Sequence, residues 1–329
     1  MKLPLESEKM NVVDAREPRF GTNPWERKIP DLLRKGMVVI DKPRGPTSHQ
    51  VVSWIKEILG IEKAGHHGTL DPNTTGVLPV ALGDTVKLLD TTLAGGKEYI
   101  AILHLHSRVN AEDLKRLVSD FTGEIYQMVP VRSAVKRGLR TRRIDYMKVL
   151  DAEENDFLVL IGCESGTYVR TLLHDMGEVM GVGGNMTELR RTRSGSIREG
   201  DSFTLQELRD AWEIFKSGDE ELIRKVVKPA EEMVGHLRSI VLKDSAVDAV
   251  CHGAPVGVPG LAGVEDGIRQ EEVVSILTMK GELIALGKAD MDTSKMIKGG
   301  KGQAASPSRV LMDTGTYPRA WKTQDKGRA

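Results

Sequence analysis

The stretch Gly65-His66-His67-Gly68-Thr69-Leu70-Asp71-Pro72 constrains this chain more than any other, because it fixes a single carboxylate on a short loop. Gly65 and Gly68 precede the acid and Pro72 follows it, and the loop continues into Asn73-Thr74-Thr75-Gly76-Val77-Leu78. Glycine admits backbone conformations closed to other residues, and proline restricts both itself and the residue before it. A solvated surface loop needs no such control. A carboxylate held in this way can serve as a nucleophile, a general base or a metal ligand.

With 329 residues and 40% hydrophobic content, the chain is long enough for two domains with their own cores. No run of 18 apolar residues occurs, so no membrane span is expected. The opening MKLPLESE is polar and mixed in charge, which argues against a signal peptide. Cys163 and Cys251 are the only cysteines and make no CxxC spacing, so two reduced structural thiols in a cytoplasmic protein are expected. The formal net charge is zero, yet Arg132, Lys136, Arg137, Arg140, Arg142 and Arg143 form a basic run without an acid. Arg190, Arg191 and Arg193 form a second cluster. Phosphate contacts are short-ranged at physiological salt, so local stripes weigh more than the total charge. The plainer reading of such a run is a solvated face.

Residues 1–36 are polar, with Pro4, Pro18, Pro24 and Pro30 spread through them, and predict an irregular arm. Met37 to Ile40 reads as a short buried strand. Thr47 and Gln50 fit a capping box that opens a helix through Val51, Ile55, Ile58 and Leu59 to Gly60. Tyr99 to Leu105 alternates as a strand does, and Asn110 caps a helix carrying Leu114, Leu117, Val118 and Phe121. Phe157 to Cys163 predicts a strand, and Gly166 to Arg170 leads into a helix with Leu172, Leu173, Met176 and Val179. Thr204 with Glu207 opens a further helix through Leu208, Trp212 and Phe215 to Gly218. Hairpins are as common as crossovers, so the class is α+β with a mixed, largely antiparallel sheet. Beyond His236, strand-like runs at Ile240–Leu242, Val273–Leu277 and Leu283–Leu286 between Gly- and Pro-rich turns predict a small β-barrel. Lys298 to Ser308 reads as a mobile loop, and residues after Trp321 as frayed.

Three chemistries compete for Asp71. His66, His67 and the pair His174-Asp175 suggest a metal cluster, but no HxxxH or HExxH spacing occurs. Asp84 and Asp90 are available as partners for glycosidic hydrolysis, but nothing aligns either with Asp71. A lone nucleophilic carboxylate needs a cation to keep it ionised and aimed, a role open to Arg170, which otherwise reads as a surface salt bridge. Tyr99 and Tyr168 are two of only five tyrosines. Aromatic faces hold unstacked nucleobases, although single tyrosines are more often core residues.

Four segments carry a resemblance: GHHGTLDPNTTGVLPVALGDTVKLL, KEY at 97–99, GTYVRTLLHDMG at 166–177 and MTELRRTRSG at 186–195. In this order they resemble the TruB family of RNA pseudouridine synthases over roughly Met37 to Leu237. DKPRGPTSHQVVSWIKEIL at 41–59 and GEIYQMVPVRSAVKRGLRTRRI at 123–144 are similar to its archaeal Cbf5 branch, related to dyskerin. KGELIALGKA at 280–289 and the turns around Pro255-Val256-Gly257 resemble a PUA domain. The resemblance implies an N-terminal arm at 1–36 beside the PUA-like domain, a catalytic domain at 37–237, a PUA-like domain at 238–321 and a frayed tail at 322–329. It assigns the nucleophile to Asp71, the base-stacking tyrosine to Tyr99, substrate contacts to Tyr168 and Arg170, and the apolar pocket wall to Leu189. The reaction implied breaks the glycosidic C–N bond of uridine, rotates the base and joins C5 to the ribose, with no metal and no cofactor. The implied setting is a box H/ACA guide ribonucleoprotein acting chiefly on rRNA. Its partners would be guide and substrate RNA together with Nop10-type, Gar1-type and L7Ae-type proteins. The alternatives are a stand-alone tRNA pseudouridine synthase and a non-catalytic RNA-binding scaffold. The presence of Asp71, Tyr99 and Arg170 together argues against the scaffold. The end at Lys326 to Ala329 lacks a Lys-rich tail, so an archaeal, cytoplasmic enzyme is expected.

Overall fold

The computed structural model describes residues 3–89, 95–130 and 136–319, which group into two compact units. One comprises residues within 38–80 and 92–226, the other residues within 1–37, 81–91 and 227–329. Arg132, Ala320, Trp321 and the tail at 322–329 lie outside the described residues.

The first unit carries most of β1 (Gly36–Lys42) and of β2 (Thr75–Leu82), together with α1 (Ser48–Leu59), β3 (Lys97–Leu105), α2 (Ala111–Asp120), β4 (Gly123–Met128), β5 (Leu139–Glu153), β6 (Asp156–Cys163), α3 (Val169–Val179), β7 (Gly184–Ser194) and α4 (Leu205–Lys216). Its sheet runs β1-β2-β7-β3-β6-β5-β4. All pairs from β7 to β4 are antiparallel, while β2 and β7 are parallel, the mixed and largely antiparallel sheet that the sequence predicts. Side chains alternate between the faces of a strand. Ala101, Leu103 and Leu105 therefore share one face, where they pack with Val159, Ile161 and the Val169, Leu172, Leu173 and Met176 stripe of α3. Gly177 lets α3 press on the chain at Gly184, since any Cβ there would strike that backbone. Both predicted capping boxes form: Gln50 N donates to Thr47 Oγ1 at 3.1 Å, and Glu207 N to Thr204 Oγ1 at 3.1 Å. Gly60 closes α1 at φ 64°.

The second unit carries β8 (Ser239–Leu242), α5 (Asp244–Cys251), β9 (Leu261–Glu265), β10 (Val273–Thr278), β11 (Leu283–Ala289) and β12 (Gln303–Val310). Ile240, Val264, Ile276, Ala285 and Ala305 from the five strands meet Val247 and Val250 of α5 in one buried core. Of the stretch 298–308 expected to be a loop, only residues 298–302 lack regular secondary structure. From Gln303 onward the chain is β12, antiparallel to β11, with Ala304 and Ala305 fully buried. Small residues suit a crowded sheet interior as well as a loop, which is why composition alone misplaces this strand.

The arm is also more regular than its prolines suggest. Met10–Val12 is a strand antiparallel to β9, and Ile29–Arg34 is a helix whose Ile29, Leu32 and Leu33 are buried. Pro30 lies in the first turn, where its missing N–H costs nothing, so it does not interrupt that helix. Leu5 and Met10 pack on Val241, Ala262 and Met279. Both cysteines are buried free thiols, pushed up to about 11 for Cys163 and about 12 for Cys251, by burial first. Among the described residues no helix is long and apolar enough to cross a membrane.

Arg27 anchors the arm within this unit. Its guanidinium grips both oxygens of Glu231 at 2.8 and 2.6 Å, and Glu231 also accepts the N–H of Leu283 at 2.8 Å. The side chains are only 10% and 5% exposed, so the pair is tightly desolvated. Arg27→Met keeps the aliphatic stem but leaves a buried carboxylate unpaired, at a cost of about 3 kcal/mol. Thermal and urea unfolding should show that loss, and an unchanged midpoint would mean that water reaches Glu231.

Candidate active site

Several backbone groups flanking Asp71 are held by side chains from the sheet and helix behind the loop. Gly68 sits at φ 69°, and its carbonyl accepts Arg191 Nη1 at 2.7 Å. Ser48 Oγ, buried at the start of α1, donates to Leu70 O and accepts Leu70 N, both at 3.0 Å. Lys42, fully buried at the end of β1, donates to Pro43 O at 2.9 Å, Pro72 O at 3.2 Å and Thr74 O at 2.9 Å. Gly45 N adds a bond to Pro72 O at 2.8 Å, and Thr74 N closes a turn onto Asp71 O at 3.0 Å. Leu70 is buried, whereas the Asp71 side chain is 55% exposed. Burial lowers the pKa of Lys42, with the Asp71 charge pulling the other way.

Arg170 Nη2 donates to Asp71 Oδ2 in a close ion pair. Arg170 lies in the first turn of α3, where the helix dipole disfavours a cation, so the carboxylate relieves a local electrostatic conflict. Gln127, buried on β4, fixes the residue before this helix: its amide donates to Tyr168 O and accepts from Tyr168 N, both at 3.1 Å. Arg142 Nε donates to Gly166 O at 3.0 Å and its Nη1 lies 3.3 Å from Glu164.

Tyr99 of β3 pairs in register with Arg191 of β7, and Ala101 with Leu189. Tyr99, Leu189 and Arg191 therefore face the same way, and Tyr99 and Leu189 pack on the core beneath α3. Burial pushes the Tyr99 phenol up while the adjacent Arg191 charge opposes the shift. Burial likewise lowers Arg191, and Tyr99 acts in the opposite sense. Lys97, buried at the start of β3, is pushed down to about 8 by burial and by the charges of Arg191 and Arg193.

The predicted residues thus separate into groups. Asp71 and Arg170 touch, and Arg191 links the Asp71 loop to Tyr99 on the strand neighbouring Leu189. Of the predicted basic run, Lys136, Arg137, Arg140 and Arg143 are exposed, whereas Arg142 turns inward to hold the loop before Tyr168. The second basic cluster is not a surface stripe. Arg190 pairs with Asp41 at 2.9 Å and with Glu199, Arg191 is buried, and Arg193 donates to Gly195 O at 3.0 Å. Lys42, Ser48, Gln127 and Arg191 all escape a reading by motif chemistry. Strand alternation from Leu189 could have placed Arg191 on the site face.

Four family models match consecutive parts of the chain. They are the DKCLD domain at 2–52, the TruB family pseudouridylate synthase N-terminal domain at 56–169, the tRNA pseudouridylate synthase B C-terminal domain at 170–235 and the PUA domain at 238–311. A Methanopyrus kandleri protein named probable tRNA pseudouridine synthase B is 47% identical over 99% of this chain and 98% of its own length. The chain belongs to the TruB family of pseudouridine synthases. A Methanocaldococcus jannaschii member of the same name is 51% identical, covering 92% of this chain and 90% of its own. Among solved structures, a chain from a Cbf5-Nop10-Gar1 complex is 45% identical with a TM-score of 0.89, covering 97% of this chain and 98% of that one. A chain from an H/ACA ribonucleoprotein bound to substrate RNA containing 2'-deoxyuridine is 42% identical with a TM-score of 0.89, covering 98% and 100%. As a TruB-family enzyme of archaeal Cbf5 type, the chain is an RNA pseudouridine synthase with a PUA domain.

His66 lies just ahead of the Asp71 loop, its ring edge-on to His49 with centroids 4.9 Å apart. Burial first, then the charges of His49, Arg191 and His67, push its imidazole from 6.5 down to about 4. Between those values the unfolded chain binds a proton that folded His66 refuses. Its contribution to stability is therefore full above pH 6.5 and is lost as the pH falls toward 4. His66→Gln should flatten the decline of the thermal midpoint over that window relative to wild type. Parallel declines would mean that the imidazole is solvated.

Proposed function

We propose that this enzyme is the catalytic subunit of a box H/ACA guide ribonucleoprotein, with Asp71 as the nucleophile that isomerises guide-selected uridines, chiefly in rRNA. The observation that carries the reading is the exposed Asp71 carboxylate on a loop with clamped backbone, ion-paired to Arg170. Arg170 places a positive charge against the carboxylate and fixes its direction. Tyr99 and Tyr168 offer aromatic faces to an unstacked uracil, and Leu189 an apolar wall. The C–N bond breaks, the base turns, C5 bonds to the ribose, and the C5 hydrogen leaves as a proton while the freed N1 takes one up. Unstacking the target costs a few kcal/mol, which contacts in the ribonucleoprotein offset.

In this reading residues 1–36 form an arm beside the PUA domain, 37–237 the catalytic domain and 238–321 the RNA-binding PUA domain, followed by a tail at 322–329. Its partners are guide RNA, substrate RNA and Nop10-, Gar1- and L7Ae-type proteins in the archaeal cytoplasm, and the residues require no cofactor. Near-complete alignment with chains solved in H/ACA complexes supports this setting. The names of the curated relatives favour a second reading, a stand-alone tRNA pseudouridine synthase. Release of tritium from C5-labelled uridine, with and without an H/ACA guide, separates the two.

Asp71→Asn should lower tritium release by more than about 10³-fold while RNA affinity stays within a few-fold, because the amide is nearly isosteric but a poor nucleophile. Wild-type release by this variant would remove Asp71 from the chemistry. The exposed Lys136, Arg137 and Arg140 should bind phosphates. Neutralising all three should flatten the slope of log affinity against log salt, by about one for each phosphate no longer neutralised. An unaltered slope would make the run a solvated face.

A further inference from the structure

Arg191 is an uncommon thing to bury. Its side chain is 1% exposed, and among the described residues no carboxylate forms an ion pair with it. An isolated buried charge is costly, and a neutral side chain of similar length would fill the space more cheaply. What the guanidinium touches suggests why it is there. Nη1 donates to Gly68 O and Nε to Val77 O, each at 2.7 Å, so one rigid group ties the two ends of the segment that carries Asp71. Among the described residues Nη2 has no hydrogen-bond partner, and Tyr99 lies against the group from β3.

The Arg191 backbone is equally fixed. It pairs with Tyr99 on one side and with Gly76 on the other, and Gly76, at φ 100°, approaches so closely that any Cβ would strike the Arg191 carbonyl. The residue therefore sits where the Asp71 segment and the Tyr99 strand meet. We propose that Arg191 is a positioning residue that sets Asp71 relative to Tyr99 by holding the Asp71 loop against β3. This inference rests on the assignment of Asp71 and Tyr99 to the reacting site. The planar fork matters as well as the charge, because it bonds two carbonyls in fixed directions where an ammonium is a point donor.

The test uses the full chain assembled with guide and substrate RNA and compares Arg191→Lys, Arg191→Ala, Tyr99→Phe and the Arg191→Ala/Tyr99→Phe pair in single-turnover tritium release. A reacting group displaced by about 1 Å loses about 10²-fold in rate. Arg191→Ala should show a loss of that order at saturating RNA, with affinity within a few-fold of wild type. Arg191→Lys should recover part of it, and added guanidinium ion should raise the rate of Arg191→Ala but not of wild type. The double variant should lose less than the product of the single losses, since both residues act on one geometry. Thermal unfolding of each variant shows whether it is folded, and if Arg191→Ala is not, Arg191→Lys and its coupling to Tyr99→Phe decide. Multiplicative losses in an active wild-type background, or no response to guanidinium, would overturn this inference alone. Absence of tritium release from wild type would overturn the functional reading and this inference with it.

Discussion

The structure depends on three buried donors aimed at the carbonyls of one loop. Ser48 comes from α1, Lys42 from β1 and Arg191 from β7, and together they engage Gly68, Leu70, Pro72 and Thr74 around Asp71. A loop of this kind satisfies few of its own backbone groups, and each one left unmade in a buried place is expensive. The three side chains supply those bonds from the sheet and helix behind the loop. The loop is thereby tied to its scaffold, and the Asp71 side chain is left half exposed on it. Preorganisation of this kind is what a reaction requiring one carboxylate in one direction needs.

Strand alternation divides the labour at the same place. On β3, Tyr99 turns toward the core beneath α3, while its neighbour Glu98 turns to the other face and accepts hydrogen bonds from Tyr146 and, at 2.8 Å, from Thr192. Burial works against a charged Glu98, but those bonds and Arg193 outweigh it and hold the carboxyl below its usual range. On β7, Leu189 and Arg191 share the face of Tyr99, while Arg190 on the other face is committed to Asp41 and Glu199. Adjacent residues of one motif thus serve different ends. A one-residue slip of β7 against β3 would exchange a buried site arginine for a structural one.

Much of this is legible from the sequence where the signal is local. The Asp71 loop, the Thr47 and Thr204 capping boxes and the stripe of α3 depend on neighbours a few residues away, and all of them form. The residues that escape owe their roles to distant partners. Lys42 grips carbonyls about thirty residues on, at Pro72 and Thr74, Gln127 holds Tyr168 from another strand, and Arg191 reaches Gly68 across the sheet. A lysine or arginine that is buried against carbonyls carries no mark in its own sequence that separates it from one in solvent. The arginine clusters mislead for this reason: charge is visible, its direction is not. Prolines in the arm and glycines near residue 300 similarly overstate irregularity, because Pro30 falls in a first turn and the glycines stop before β12.

The redistribution of those arginines bears on how RNA is held. Arg142, Arg190 and Arg191 spend their donors inside the protein, so fewer cations on the catalytic unit reach phosphate than a count of the sequence suggests. Counterion release scales with the phosphates actually neutralised, not with the basic residues present. A chain of zero net charge with part of its arginine turned inward gains limited affinity from electrostatics alone. Under the guide-dependent reading this is no handicap. Base pairing to a guide selects the uridine, a second RNA contact on the PUA domain raises its local concentration, and the catalytic unit need bind only the flipped base and its flanks. The same arginines then do more as internal struts than as surface charge, since a site that relies on a guide for selection still has to supply the geometry of the reaction itself.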